Sequence, residues 1–189
     1  MTNDGFLAIW SDVAAESEID YLHWLTREHT QERLGVTGFA AVRVFRLLRD
    51  DVRRYFIRYE LRNAEVLSSQ AYLTRLNHPT PWSQRTMPSL RNFIRGGGTV
   101  RERAGLGQGG LLAIAKFDDV LPSNGAALAQ TVIGMDGITA AQFLETDDIQ
   151  TPIRTHEKGL RKGDQSFAEL FLVEGVRAQA LVTAADHLG

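Results

Sequence analysis

The sequence predicts an α+β protein built from two successive repeats, each in the order strand, helix, strand, strand, helix. Short segments rich in β-branched and aromatic residues alternate with amphipathic helical segments along the 189-residue chain. The pattern then begins again: the tripeptide LAI of the first predicted strand, residues 7–9, recurs at 112–114. An internal repeat of about 105 residues is a stronger indication of architecture than any single motif.

The first repeat is predicted to cover residues 1–104. Ser17 can cap its first helix, and Gly35 stands where a left-handed residue is expected to end that helix. The second helix ends before Pro79 and Pro81, which cannot continue it. The predicted elements are strand 6–13, helix 17–34, strands 39–48 and 54–61, helix 64–76 and a short strand at 99–103.

Residues 105–110, GLGQGG, are predicted to link this repeat to a second, shorter one at 111–189. A phosphate-binding loop would need glycines between a strand and the N-terminus of a helix, whereas these glycines lead into a strand. The second repeat is expected to lack a final strand. Its predicted elements are strand 111–118, helix 124–133, strands 138–145 and 166–173, and helix 176–187.

Composition excludes several classes of function. The absence of cysteine excludes disulfides, thiolate metal sites and a cysteine nucleophile. A net charge of −2 gives no electrostatic footprint for nucleic acid, and no apolar run approaches the roughly 20 residues of a membrane span. The five histidines are scattered, so no metal site is predicted. We therefore expect a cytoplasmic protein without metal, nucleic acid or membrane partners.

The first helix carries the best candidates for chemistry. With a step of about 100° per residue, its apolar side also holds His29 and Arg33, whereas Trp24 points away. Two interpretations stay open for His29: a residue that borders a ligand cleft, or a core histidine satisfied by a backbone carbonyl. The residues predicted to share the buried stripe are Leu22, Leu25, Thr26, His29 and Arg33.

The strands of the first repeat separate two kinds of face. Alternation places Tyr59 on an aliphatic face suited to helix packing. The opposite face combines aromatic and charged side chains and would either line a lumen or meet solvent; it holds Trp10, Arg43, Arg58 and Glu60. Trp82, in the loop NHPTPW, is interpreted either as part of a lid or as a core residue.

The motifs of the first helix resemble those of the dimeric α+β barrel superfamily, in particular its EthD-like and stress-responsive members. This resemblance implies two ferredoxin-like βαββαβ repeats that form a barrel with the helices outside. The superfamily includes cofactor-free oxygenases, isomerases, dehydratases, lyases and haem proteins, so the resemblance does not select a reaction. The matching residues are Trp24, the pair Glu28 and His29, the pair Glu32 and Arg33, and the pair Gly38 and Phe39.

The function predicted from these residues is a cofactor-independent isomerase, dehydratase or lyase that transfers protons on a small aromatic or carbonyl-bearing metabolite. His29 would be the general acid or base, with Glu60 orienting it and Tyr59 donating a proton. The predicted substrate-binding residues are Trp10, Arg33, Arg43, Arg58 and Trp82.

Two other functions stay open: a non-catalytic small-molecule-binding or structural barrel, and, with less support, a barrel that binds haem through His29. Because the second repeat is expected to lack a final strand, a sheet edge would be uncovered. An uncovered edge is normally paired or protected, which favours a homodimer.

Overall fold

The computed structural model describes residues 4–49, 51–120, 125–148, 153–161 and 163–186, which form an α+β structure. The strands are β1 (Gly5–Asp12), β2 (Phe39–Arg46), β3 (Arg54–Leu61), β4 (Arg91–Ala104), β5 (Leu111–Phe117), β6 (Ile138–Thr146) and β7 (Glu169–Gly175). The helices are α1 (Glu18–Trp24), α2 (Thr30–Leu34), α3 (Gln70–Asn77), α4 (Pro81–Thr86), α5 (Gly125–Ile133), α6 (His156–Gly159) and α7 (Ala178–Asp186).

The chain divides into two compact units, and the division differs from the predicted repeats. Unit 1 comprises Met1–Gly98 and Asp147–Ser166, and unit 2 comprises Thr99–Thr146 and Phe167–Gly189. The boundary therefore falls inside β4 rather than at the glycine-rich segment 105–110. The segment Asp147–Ser166, which sequence reasoning assigned to the second repeat, belongs to unit 1 and brings α6 with it.

In unit 1 the strand order is β2-β3-β1-β4. β3 pairs antiparallel with both β1 and β2. One face of this sheet forms a core with the first helix, in which Tyr59 of β3 packs with Tyr21 and Leu25. Because successive side chains of a strand point to opposite faces, the neighbours of Tyr59, Arg58 and Glu60, lie on the other face.

In unit 2 the strand order is β4-β6-β7-β5, and β7 pairs antiparallel with β5 and β6. The core combines Phe171 and Val173 of β7 with Leu181 of α7. The elements follow the predicted order, although β7 starts at Glu169 rather than at residue 166. Two predicted helix ends, Asn124 and His187, lie outside the described residues.

β4 is longer than the predicted strand 99–103, since it begins at Arg91. Gly96, Gly97 and Gly98, which precede the predicted strand in the sequence, lie inside β4, where glycine allows close packing. A Cβ atom on Gly97 would come within 2.6 Å of Leu67 Cδ1 and 3.0 Å of the Phe6 carbonyl oxygen. Glycine here marks a close approach of two segments rather than a loop.

The first helix is continuous but contains a π-helical turn, Leu25–His29, between α1 and α2. The Thr30 N–H donates to the carbonyl of Leu25, five residues back. A π turn contains one more residue than an α turn, so the buried face shifts along the helix. Trp24, which precedes this turn, is buried and Thr26 is exposed, so the predictions for both residues were wrong. The predicted burial of His29 and Arg33 is confirmed.

The turn between the first helix and β2 requires glycine at position 38, not at position 35. Gly35 has φ −71°, so its predicted left-handed conformation was wrong. Gly38 has φ +102°, and a Cβ atom there would lie 2.4 Å from Val66 Cγ2.

We therefore expect Gly38→Ala to lower the free energy of unfolding by about 1–3 kcal/mol because it adds backbone strain and a clash. Gly35→Ala is the matched control: its Cβ atom would meet nothing closer than 3.4 Å, and we expect a change within about 1 kcal/mol. Chemical denaturation of both variants makes the comparison. Equal losses of stability would contradict this assignment of the turn.

Candidate functional site

The site is built around an ion pair buried in unit 1. Arg33 of α2 is 2% exposed, and its guanidinium donates a hydrogen bond to the carboxylate of Glu157 in α6, which is also buried. Burial by itself would lower the pKa of Arg33, but the charge of Glu157 raises that pKa above its ordinary value. The guanidinium therefore stays charged in the core.

His29 lies one helical turn before Arg33 and is 4% exposed. Its ring stacks on Trp24 with a centroid separation of 4.3 Å, and the Trp24 Nε1–H donates to Ser83 Oγ at 3.1 Å. Burial, followed by the positive charges of Arg33 and Arg161, holds the pKa of His29 well below its usual value. The imidazole is therefore neutral at physiological pH.

Several buried polar atoms of this core have no hydrogen-bond partner among the described residues, and they include His29 Nδ1, Arg33 Nη1 and the Tyr59 hydroxyl. At Nδ1, His29 therefore lacks the hydrogen bond to a backbone carbonyl that one of the two predicted interpretations requires. Burial raises the pKa of Tyr59 far above its usual value, so its hydroxyl stays protonated. An unsatisfied buried polar atom costs about 1–3 kcal/mol, so it calls for an explanation in a folded protein.

Two spaces are lined by residues of unit 1, and the ion pair lines the inner one. The inner cavity, lined by His29, Arg33, Tyr72 and Glu157 among others, measures about 20 Å³. That volume holds about one water molecule. It does not accommodate a porphyrin, so the geometry around His29 does not support the haem alternative.

The second space, the outer cleft, measures about 380 Å³. This size is in the range of small-molecule sites, roughly 300–1,000 Å³. Arg95, Lys158 and Arg161 line both spaces and so form the wall between them. The outer cleft is lined by Arg95, Asp148, Lys158, Arg161, Asp164, Gln165 and Ser166.

The two arginines of this wall are held in place by packing and hydrogen bonds. The Arg161 guanidinium carbon lies 3.9 Å from the centroid of the Phe93 ring, and its Nη2 donates to Asp164 Oδ2 at 3.0 Å. Arg95 Nη2 donates to the Tyr72 hydroxyl at 3.3 Å. The wall therefore presents two oriented guanidinium groups.

Lys158 is the most unusual group of the outer cleft. Its side chain is half-buried, and Nζ donates to the Ile153 carbonyl at 2.6 Å. Burial first, and then the charges of Arg95 and Arg161, lower the pKa of Lys158 to about 7. Sequence reasoning missed Lys158 because nothing in its local spacing links it to the first helix, more than 120 residues earlier.

The predicted site residues fall on two sides of the unit 1 sheet. His29, Arg33 and Tyr59 share the helix-side core, as described above. Glu60 lies on the opposite face, so it cannot orient the imidazole of His29 in this structure.

Arg58 and Arg43 are register partners and lie on the same face as Glu60. Trp10 stacks on Phe56 of that face with a centroid separation of 4.5 Å. The eight predicted residues therefore do not converge on one site. The residues on the Glu60 face lie outside the site around His29, and their substrate-binding and catalytic roles stay predictions.

Trp82 lies on α4, where it is half-buried and packs against the unit 1 core. Arg85 lies over its ring, with the guanidinium carbon 5.9 Å from the ring centroid. It is not among the residues that line the inner cavity or the outer cleft. Of the two interpretations of Trp82, this position agrees with that of a core residue.

In the part of the chain that the structure describes, no group of three or more histidine, aspartate or glutamate side chains is placed to hold a metal ion. Across the same residues, no helix has both the length and the apolar character needed to cross a membrane.

Comparison with known proteins gives a likeness at the level of the fold. No protein-family model matches the sequence, and no curated protein matches it. The structure is similar to that of a protein from Fusobacterium nucleatum subsp. nucleatum described as a putative monooxygenase, with a TM-score of 0.57 and 13% sequence identity. The match covers 98% of this chain and 82% of that chain. At this identity the likeness supports the α+β fold alone.

The buried ion pair predicts a large effect of a nearly isosteric substitution. We expect Glu157→Gln to lower the free energy of unfolding by about 3–5 kcal/mol because it leaves the guanidinium of Arg33 buried without an anion. The control is Glu145→Gln, which breaks the exposed pair of Glu145 with Arg101 and should cost less than about 1 kcal/mol. Equilibrium denaturation measures both, and a cost below about 1 kcal/mol for Glu157→Gln would contradict the buried pair.

Proposed function

We propose that unit 1 carries a cofactor-independent enzyme site that transfers protons on a small carbonyl-bearing metabolite. The observation that supports this most is His29 itself: a neutral, buried imidazole whose Nδ1 has no partner among the described residues, beside a cleft of metabolite size. A general base must be unprotonated at the working pH and must reach the reacting atom directly or through one water. His29 meets the first condition.

We propose that the inner cavity provides the second condition. Its volume of about 20 Å³ admits one water molecule between His29 and the wall of the outer cleft. In this proposal the substrate occupies the outer cleft, and a water in the inner cavity relays the proton between its α-carbon and His29. Return of the proton to another atom gives isomerisation, and departure of a β-substituent gives elimination.

The charge that develops in such a reaction is negative, because loss of an α-proton leaves an enolate. Arg33, Arg95 and Arg161 line the proposed path, with Arg33 paired to Glu157 and Arg161 to Asp164. Fixed cations in a site that excludes water stabilise an oxyanion more than cations in bulk water do. Tyr59 lies in the same core but is not among the residues that line the inner cavity or the outer cleft, so its role as proton donor stays a prediction.

The finer architecture is also a proposal. We infer that the two halves are ferredoxin-like repeats of the dimeric α+β barrel superfamily, on the support of the element order and the antiparallel pairing in each unit. β2 ends the strand order of unit 1. An edge strand of this kind supports the proposal of a homodimer.

A non-catalytic small-molecule-binding protein is the alternative function. The small inner cavity favours it, because no metabolite fits beside His29 itself. In that case the ion pair and His29 would only shape the core, and the outer cleft would bind a molecule without changing it.

Exchange of carbon-bound protons for deuterium distinguishes these functions without knowledge of the natural substrate. The full chain is incubated in D₂O with a panel of enolisable 2-oxo acids, 3-oxo acids and aryl ketones, and loss of the α-proton signal is followed by ¹H NMR. We expect accelerated exchange for at least one class, and a loss of about 100-fold or more in His29→Gln. His23→Gln, on the same helix, is the control and should exchange as the wild type does.

Either of two results would contradict the proposal. One is exchange no faster than in buffer for every compound of the panel, which would favour the binding protein. The other is an equal exchange rate in His29→Gln and the wild type, which would remove His29 from the chemistry.

A further inference from the structure

The outer cleft combines an amine with two oriented guanidinium groups, and this combination has a specific chemical use. We propose that Lys158 is a nucleophilic amine that forms a reversible imine with a small oxo acid, whose carboxylate is held by Arg95 and Arg161. The inference rests on the proposed function only in regarding the bound oxo acid as a substrate. The imine itself forms whether or not His29 transfers a proton.

The position of Lys158 suits a nucleophile. Its half-buried side chain lines a cleft of about 380 Å³, so a carbonyl compound of a few carbon atoms can reach Nζ without opening the core. The hydrogen bond from Nζ to the Ile153 carbonyl, at 2.6 Å, fixes the amine. A neutral amine retains this bond, because it still has hydrogens to donate, and it presents its lone pair for attack.

The groups around Lys158 keep a large fraction of the amine neutral. Burial is the largest cause that disfavours the ammonium form, followed by the charges of Arg95 of β4 and of Arg161, which follows α6. The carboxylates of Asp164 and Glu157 offset these effects only in part. With the pKa lowered to about 7, roughly half of the amine is neutral at pH 7. An ordinary lysine with a pKa of about 10.4 has a neutral fraction roughly a thousandfold smaller.

A lysine that is partly desolvated beside another cation is an established way to activate an amine toward carbonyl compounds. Asp148 also lines this cleft, so both acidic and basic groups are available for the proton steps. The chain has only three lysines, at 116, 158 and 162, which makes the reacting amine easy to assign. Lys162 lies outside the described residues.

The step balances without an oxidant or a reductant. Neutral Nζ attacks the carbonyl carbon, so that a C–N bond forms and the carbonyl oxygen takes up a proton. The carbinolamine then loses this oxygen as water, and the products are one imine and one water from one amine and one carbonyl compound. Protonation of the imine nitrogen acidifies the α-proton, which is the proton that His29 is proposed to move.

The carboxylate of the ligand is the part that the arginines recognise. The Arg161 guanidinium lies over Phe93 and is paired with Asp164, and Arg95 is anchored by Tyr72, so little side-chain entropy is lost when an anion binds. Hydrogen bonds between guanidinium and carboxylate are charge-assisted and stronger than neutral ones. An oxo acid should therefore be preferred over its neutral ester.

Reductive trapping tests the inference on the full chain. The protein is incubated with pyruvate and cyanoborohydride at about pH 7, and the adduct is located by peptide mass spectrometry. We expect an adduct at Lys158 that forms at least about tenfold faster than the adduct at Lys116. Methyl pyruvate, which lacks the negative charge, should label Lys158 several-fold more slowly than pyruvate does.

The variants Lys158→Arg and Lys158→Met should lose this adduct while their melting temperatures stay close to that of the wild type. The labelling rate should rise with pH and level off above about pH 7, as the neutral amine becomes the main form. Labelling at equal rates at Lys116 and Lys158, or a rate that climbs to about pH 10 at Lys158, would overturn the inference. Equal rates with pyruvate and methyl pyruvate would overturn the role of the arginines.

The two proposals fail separately. Trapping at Lys158 without deuterium exchange in any carbonyl compound would leave the imine standing and would contradict proton transfer by His29. Deuterium exchange without trapping at Lys158 would overturn the imine and leave the function of His29 standing.

Discussion

The candidate site depends on one interaction, the buried pair of Arg33 and Glu157, which joins segments 124 residues apart in sequence. Charges buried to this degree are stable only when each is paired, so the pairing requires the segment Asp147–Ser166 to return to unit 1. Lys158 follows Glu157 directly, and Arg161 lies one turn further. The ion pair therefore also positions the wall of the outer cleft.

Burial and the same positive charges lower the pKa of both acid–base groups of the site, His29 and Lys158. Arg161 contributes to the lowered pKa of His29 and to that of Lys158, and in both cases burial is the larger cause. Arg33 thus stays charged, while its neighbour His29 is neutral. Sites in which burial and nearby charges displace pKa values in this way are candidates for proton-transfer chemistry.

Local sequence patterns predicted the parts of the fold that depend on local physics. Apolar spacing on the first helix identified His29 and Arg33, but a uniform step could not reveal the π turn at Leu25–His29. Glu157 and Lys158 were missed because they enter the site through a contact over a long sequence separation, from a stretch without periodicity. The strand alternation was predicted correctly, and it separates Glu60 from His29.

The most direct test of the account is the protonation state of His29 in the folded chain, measured by ¹H–¹⁵N NMR of the ring nitrogens from about pH 5 to about pH 8. The account predicts that His29 keeps the nitrogen shifts of one neutral tautomer across this range. Its shifts should change when pyruvate is added to occupy the outer cleft. A titration of His29 near pH 6.5, the value of an unperturbed histidine, would contradict two claims. One is that His29 is buried beside the ion pair, and the other is that it acts as a neutral base.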